Sequence, residues 1–205
     1  ILYLLKDYVP NFMVMAPRTS DAAYRRKLPS RCIKEDFTKE RLQQLWNRQY
    51  YATQLYNTAN DINILESLFK VAPDREGIVM LEAIKRKALD MIKVIEMSPN
   101  LDFGQKKAQK TAIEELQIKK IKIIYRDAVR KNKHIIERNP DLTTQQKIAL
   151  DYLDFNPRLC LIIDDCSEKF QVWMKFFKKN EVNPFESIFY KNRWNYLTLV
   201  FAAHD

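Results

Sequence analysis

Three short, almost unbroken apolar runs stand out along the chain, and a long stretch of helix-spaced apolar residues separates the first from the second. The first run is VPNFMVMAP, Val9 to Pro17. The second is RLCLIIDD, Arg158 to Asp165, which follows the turn dipeptide Asn156-Pro157. The third is YLTLVFAA, Tyr196 to Ala203. Continuous rather than alternating apolar character is the pattern of parallel strands covered on both faces.

From Thr38 to about Asp154 the spacing is helical instead. Leu42, Leu45, Gln49 and Leu55 lead into Ile62, Leu65 and Phe69. A second stripe runs through Leu81, Ile84, Ala88, Met91 and Ile95, and a third through Ile113, Leu116, Ile121, Ile124 and Ala128. Stripes of this period are core packing and carry no chemistry of their own. Two more helical segments, Glu168 to Lys179 and Pro184 to Trp194, fall between the second and third apolar runs, with Pro184 suited to a first helical turn. They predict a right-handed β-α-β crossover. The expected fold class is α/β, a parallel sheet in one domain with a helical insertion at about 38–154.

Composition narrows this picture. With 205 residues, 46% of them apolar, the chain can bury one sizeable core. No apolar run reaches membrane-spanning length and no signal-peptide pattern occurs, so the expectation is a soluble intracellular protein without a membrane span. Cys32, Cys160 and Cys166 lack paired-ligand spacing and read as reduced thiols. ILYLLKDY opens the chain directly in an apolar, helix-compatible run, and the expectation is that more sequence precedes Ile1.

Net charge is +9, and its placement matters more than its size. Between Lys106 and Arg138 there are eleven Lys or Arg against four Asp or Glu. This stretch, with Lys119, Lys120, Lys122, Arg126 and Arg130 at its centre, is the candidate nucleic-acid surface, though a solvated helix face gives the same pattern. Arg18, Arg25 and Arg26 lie in APRTSDAAYRR, expected as a surface loop carrying solvated charge.

The candidate chemistry sits in LCLIIDDC. Two adjacent carboxylates at the end of a buried strand are costly unless they meet a cation or hydrogen-bond donors. In P-loop ATPases this arrangement is the Walker B motif. Asp164 would then hold Mg²⁺ on the β- and γ-phosphates of ATP, and Asp165 would orient or deprotonate the attacking water. The third apolar run ends in His204-Asp205, where a polar side chain beside Walker B would sense the γ-phosphate. In an open α/β sheet the ligand lies at the carboxyl ends of the strands, where Asp164, Asp165 and His204 are expected to converge.

The order VPNFMVMAP, then Tyr24 and Leu28-Pro29 ahead of a helix, then LCLIIDDC, then NRWNYLTLVFAAHD resembles the viral DNA-packaging ATPases of the FtsK/HerA superfamily, found in nucleocytoplasmic large DNA viruses. The resemblance covers the two ends of the chain and little of the helical block. That family introduces its sensor strand with Gly-Arg-His and ends it in Gln. This chain has Asn192-Arg193-Trp194 and His204, which puts Arg193 on the family arginine and His204 on the sensor. Arg193 is either an arginine finger toward a neighbouring subunit or a helix-end cation.

The resemblance further implies an ATP-driven translocase that packages double-stranded viral DNA. It would act as a ring of identical subunits on a capsid vertex protein, in the host cytoplasm at the virus factory or in the virion. It also implies a GxxxxGK(S/T) phosphate loop within roughly a dozen residues before Ile1, because none lies within residues 1–205. The fragment alone is then expected to be inactive. Two other readings stay open: a helical nucleic-acid-binding or scaffold protein without ATPase activity, and a metal-dependent nuclease built on the Asp pair. The nuclease is disfavoured because successive strand residues point to opposite faces.

Overall fold

The computed structural model describes residues 8–35, 38–166 and 195–202. The chain divides into two compact units, one made of Ile1–Gln54 with Phe155–Asp205 and the other of Leu55–Asp154. The fold is mixed α/β, mostly helical, with one small parallel sheet.

The first unit carries the sheet. Strand β1 (Asn11–Met15) leads into helix α1 (Arg18–Arg25), a 3-10 turn at Ser30–Cys32 and the two-residue strand β2 (Ile33–Lys34). Helix α2 (Lys39–Ala59) follows, then strands β3 (Leu159–Asp164) and β4 (Leu197–Ala202). The order across the sheet is β2, β1, β3, β4, and all three pairings are parallel. The three apolar runs thus become β1, β3 and β4. Strand β2 is too short to leave a periodic signal. The segment expected as a surface loop at residues 18–25 is helix α1 instead, entered directly after Pro17. The two helices expected between β3 and β4 lie outside the described residues.

Each face of the sheet has its own apolar layer, and the period-two alternation of strands assigns residues to them. Met13 and Met15 of β1, Leu159, Leu161 and Ile163 of β3, and Leu197 and Leu199 of β4 pack with Leu42, Leu45 and Trp46 of α2. Phe12 and Val14, Cys160 and Ile162, and Val200 pack on the opposite face with Tyr24 of α1, Leu28 and Ile33. Every residue of β3 is buried, which is why its sequence shows no polar alternation.

In this unit α2 is also tied to the strand starts. The carboxamide of Gln49, only 3% exposed, donates both hydrogens to backbone carbonyls, that of Pro157 at 2.6 Å and that of Asn195 at 2.7 Å.

The second unit is helical: α3 (Ile62–Val71), α4 (Arg75–Met97), α5 (Phe103–Lys131), the single turn α6 (Lys133–Ile136) and α7 (Thr144–Asp151). Side-chain caps set the helix starts. Asp61 accepts from Asn63 and Ile64, Asp74 accepts from Gly77, and Asp102 with Gln105 and Thr143 with Gln146 form capping boxes. The core joins Leu65, Leu68 and Phe69 of α3 to Leu81, Tyr125, Val129, Ile136 and Leu150. At Gly77 an added Cβ would come within 3.2 Å of the Phe69 ring, so the glycine permits the close approach of α4 to α3. The helical block expected over 38–154 is therefore shared: residues 39–54 of α2 belong with the sheet and residues 55–154 with this bundle.

Candidate functional site

Register brings three strand ends level. Met15 of β1 pairs with Ile163 of β3, and Asp164 of β3 pairs with Ala202 of β4. Asp164 is therefore the last residue of an interior strand, flanked by parallel neighbours on both sides.

Strand alternation turns Asp164 toward the α1 side, the side of Cys160 and Ile162. There the phenol of Tyr24, the α1 residue packed on that layer, donates a 2.9 Å hydrogen bond to Oδ2 of Asp164. The carboxylate is 7% exposed and ends an apolar strand, so a donor at this position offsets much of its desolvation. The same contact acts on the tyrosine. Burial first, then the hydrogen bond to Asp164 and the negative charge of that carboxylate, push the phenol up to about 12.

The chain then turns sharply. Asp165 has φ 53°, in the left-handed region where Asp and Asn are the best tolerated residues after glycine. Its N–H donates to the carbonyl of Ala202 at 3.2 Å, and its side chain is exposed while Asp164 is buried. Cys166 returns to the interior, with Sγ 3.2 Å from the carbonyl of Asp164 and 3.8 Å from that of Met15. The two carboxylates are thus sorted by one backbone turn, the first into the sheet layer and the second toward solvent. All three cysteines are free thiols, and burial pushes Cys160 up.

His204 and Arg193 lie outside the described residues, as does Asp205. The central residues of the basic stretch are all on α5, in the helical unit, and they divide by what they touch. Lys119 and Lys120 are exposed. Lys122 is half-buried, and burial and then the neighbouring Arg126 lower its ammonium pKa against an opposing pull from Asp61. Arg126 donates to the carbonyl of Leu153 at 2.8 Å. Arg130 bonds Asp154 at 2.6 and 2.9 Å and Asp127 at 2.9 Å, and its hydrogen bond with Asp154 raises the arginine and lowers the carboxylate. Both arginines are therefore engaged in holding α5 to the segment after α7. Arg25, expected as solvated charge, pairs with Glu35 at 2.8 Å.

Among the described residues no group of three or more His, Cys, Asp or Glu side chains could hold a metal ion by itself. No helix among them is long and apolar enough to cross a membrane.

The chain is similar to proteins of viral origin. Uncharacterized protein B354L of African swine fever virus is 28% identical over 171 residues in a Kenyan pig isolate and likewise in a Malawian tick isolate. In each case the match covers 80% of this chain and 40% of the relative, so the chain spans about two fifths of the length of these relatives. No protein-family model matches the chain, and no solved structure does.

Tyr24 is the site residue that sequence reasoning did not assign a role, since it served only as a landmark ahead of Leu28-Pro29. The signal that could have found it is the strand parity of Asp164 combined with the first helix after β1, which must cover one face of the sheet.

Proposed function

We propose that this chain is part of a P-loop ATPase that moves double-stranded DNA, of the viral genome-packaging kind. The observation that carries the reading is the position of Asp164: a buried carboxylate at the carboxyl end of an interior parallel strand, where open α/β sheets bind their ligands, followed by an exposed carboxylate on a left-handed turn. The viral origin of the relatives agrees with it.

The donor set fits magnesium rather than a metal caged by protein. Magnesium keeps several waters and takes one or two carboxylates alongside substrate phosphates, so Asp164, with no cluster of three or more metal-ligating side chains among the described residues, suits a nucleotide-borne ion. When bound, the ion neutralises charge on the β- and γ-phosphates of ATP. Asp164 would face the ion through its water shell, with Tyr24 fixing the orientation of the carboxylate. Asp165 would accept a proton from the attacking water or orient it. His204, two residues after the end of β4 in sequence, takes the sensor role in this reading, and Arg193 the role of arginine finger or helix-end cation. The phosphate-gripping loop must come from outside residues 1–205, which contain no GxxxxGK(S/T) motif. A ring of identical subunits docked on a capsid vertex protein, in the virus factory or the virion, completes the proposal.

A helical nucleic-acid-binding or scaffold protein is the second reading. The exposure of Lys119 and Lys120 favours it, and the ion pairing of Arg130 counts against it. ATP hydrolysis by the full-length protein separates the two, with Asp164 and Asp165 changed in turn. A complete reading frame without a phosphate loop would sink the ATPase proposal.

A further inference from the structure

The long α4 and α5 hairpin is packed on the bundle core only near its base. The core includes Leu81 of α4 and Tyr125, Ala128 and Val129 of α5, while apolar side chains farther along the hairpin, Leu89, Val94 and Leu116 among them, remain exposed. A groove runs between the two helices, and Ile84, Met91 and Leu116 form part of its apolar floor with Lys87 and Lys120 beside them. Its lining contains two lysines and no carboxylate.

The spacing extends the groove into two seams. On α4, Met80 and Val94 continue the line of Ile84, Lys87 and Met91 at alternating steps of four and three residues, and both are more than half exposed, at 54% and 66%. On α5, Ile123 continues the line of Leu116 and Lys120 at the same steps and is 59% exposed. Steps of three and four are the spacing of a coiled-coil seam, and two such seams flanking a groove are the seat of a third helix. Large apolar side chains exposed along one line mark an interaction surface.

Charge selects the occupant. A second copy seated symmetrically about the middle of the groove would bring Lys87 and Lys120 against their own counterparts, and like-charge juxtaposition at an interface is unfavourable. Nucleic acid would satisfy the lysines and leave the apolar seams unused. We infer that the α4 and α5 groove docks an amphipathic helix of a partner protein, whose apolar seam lies between the two helices and whose flanking carboxylates meet Lys87 and Lys120. This surface lies within the helical unit and is independent of the Asp164 site.

The test uses the full chain and a fluorescent peptide of roughly three heptads with Leu at the seam positions and Glu flanking them, against a twin with Lys in place of Glu. Fluorescence anisotropy should show saturable binding of the Glu peptide, roughly tenfold or more tighter than the Lys peptide. Leu116→Glu should weaken it by roughly tenfold or more, because it buries a carboxylate in the apolar seam. Leu116→Ala should weaken it less, and circular dichroism should show both variants folded. Lys87→Glu with Lys120→Glu should reverse the preference in favour of the Lys peptide. Failure of the Glu peptide to saturate, or binding indifferent to Leu116→Glu, overturns the inference. Displacement of the peptide by duplex DNA with no effect of Leu116→Glu overturns it in favour of a polyanion surface. A dimer of the chain that Leu116→Glu dissociates overturns it in favour of a second copy.

Discussion

Tyr24 and Asp164 are 140 residues apart in sequence, yet the tyrosine hydroxyl stands 2.9 Å from Oδ2 of the aspartate. This bond joins helix α1 to the catalytic end of β3 in the proposed ATPase. Tyr24→Phe should keep the ring packed on its layer and remove only the donor, at a cost of about 1–3 kcal/mol, because the tyrosine is half-buried and its partner is a buried carboxylate. The pH dependence gives a sharper signature. The folded phenol is raised to about 12 against about 10 in the unfolded chain, so the unfolded state loses its proton first. Stability from this group is complete below about pH 10 and is lost as pH rises toward 12. Urea midpoints measured from pH 9 upward should fall less steeply for Tyr24→Phe than for the parent. Equal slopes would mean that the hydroxyl does not titrate against Asp164.

Gln49 offers a test of the sheet unit. Its carboxamide satisfies the carbonyls of Pro157 and Asn195, and Gln49→Leu would leave both carbonyls without that partner in a buried setting. A loss of about 1–3 kcal/mol in urea unfolding is expected. Gln49→Glu should cost more, since a carboxylate would face two carbonyl oxygens. A fully stable Gln49→Leu variant would contradict these two hydrogen bonds.

Much of the frame was legible because burial on both faces writes itself into sequence: β1, β3 and β4 stand where the three apolar runs predict them. The stripes at Leu81 to Ile95 and Ile113 to Ala128 likewise become α4 and α5. What sequence could not carry is pairing between distant side chains. Nothing local at Tyr24 points to Asp164, and nothing local at Arg130 points to Asp154. Gln49 sits in an apolar stripe, so periodicity assigns it to the core but gives no hint of its two carbonyl partners. Helix α1 was hidden because its eight residues include only Ala22, Ala23 and Tyr24 as apolar positions and the segment starts at a proline, which reads as a turn.

The basic stretch should separate by substitution. If α5 follows DNA phosphates, changing Lys119 and Lys120 to Gln should reduce the salt dependence of binding, by roughly one unit of log–log slope for each phosphate no longer neutralised. Arg130→Gln should instead lower stability by up to about 1 kcal/mol, since its exposed ion pairs with Asp154 and Asp127 are screened by solvent. Filter binding over a salt series and urea unfolding check the two expectations. An unchanged salt slope in the double lysine variant would leave α5 as a solvated helix face.

The backbone at Asp165 predicts a substitution pattern that does not depend on chemistry. At φ 53° Asn and Gly are tolerated, whereas a β-branched residue is strained by about 1–2 kcal/mol. Asp165→Val should therefore lower the unfolding midpoint, while Asp165→Asn should leave it near that of the parent. Equal stability of the two variants would contradict the left-handed turn.

That tolerance makes Asp165→Asn a clean probe of the proposed activity. The most direct measurement is ATP affinity and hydrolysis by the full-length protein, for the parent and for Asp165→Asn and Asp164→Asn. The expected result is that Asp165→Asn still binds ATP while hydrolysis falls ~10²–10⁴-fold, because an amide cannot take the proton of the attacking water. Asp164→Asn should weaken magnesium-dependent ATP binding as well as turnover, because it removes a charge facing the ion. Parental hydrolysis rates in both variants, or no hydrolysis by the full-length parent, would contradict the assignment of LCLIIDDC as the catalytic strand of an ATPase.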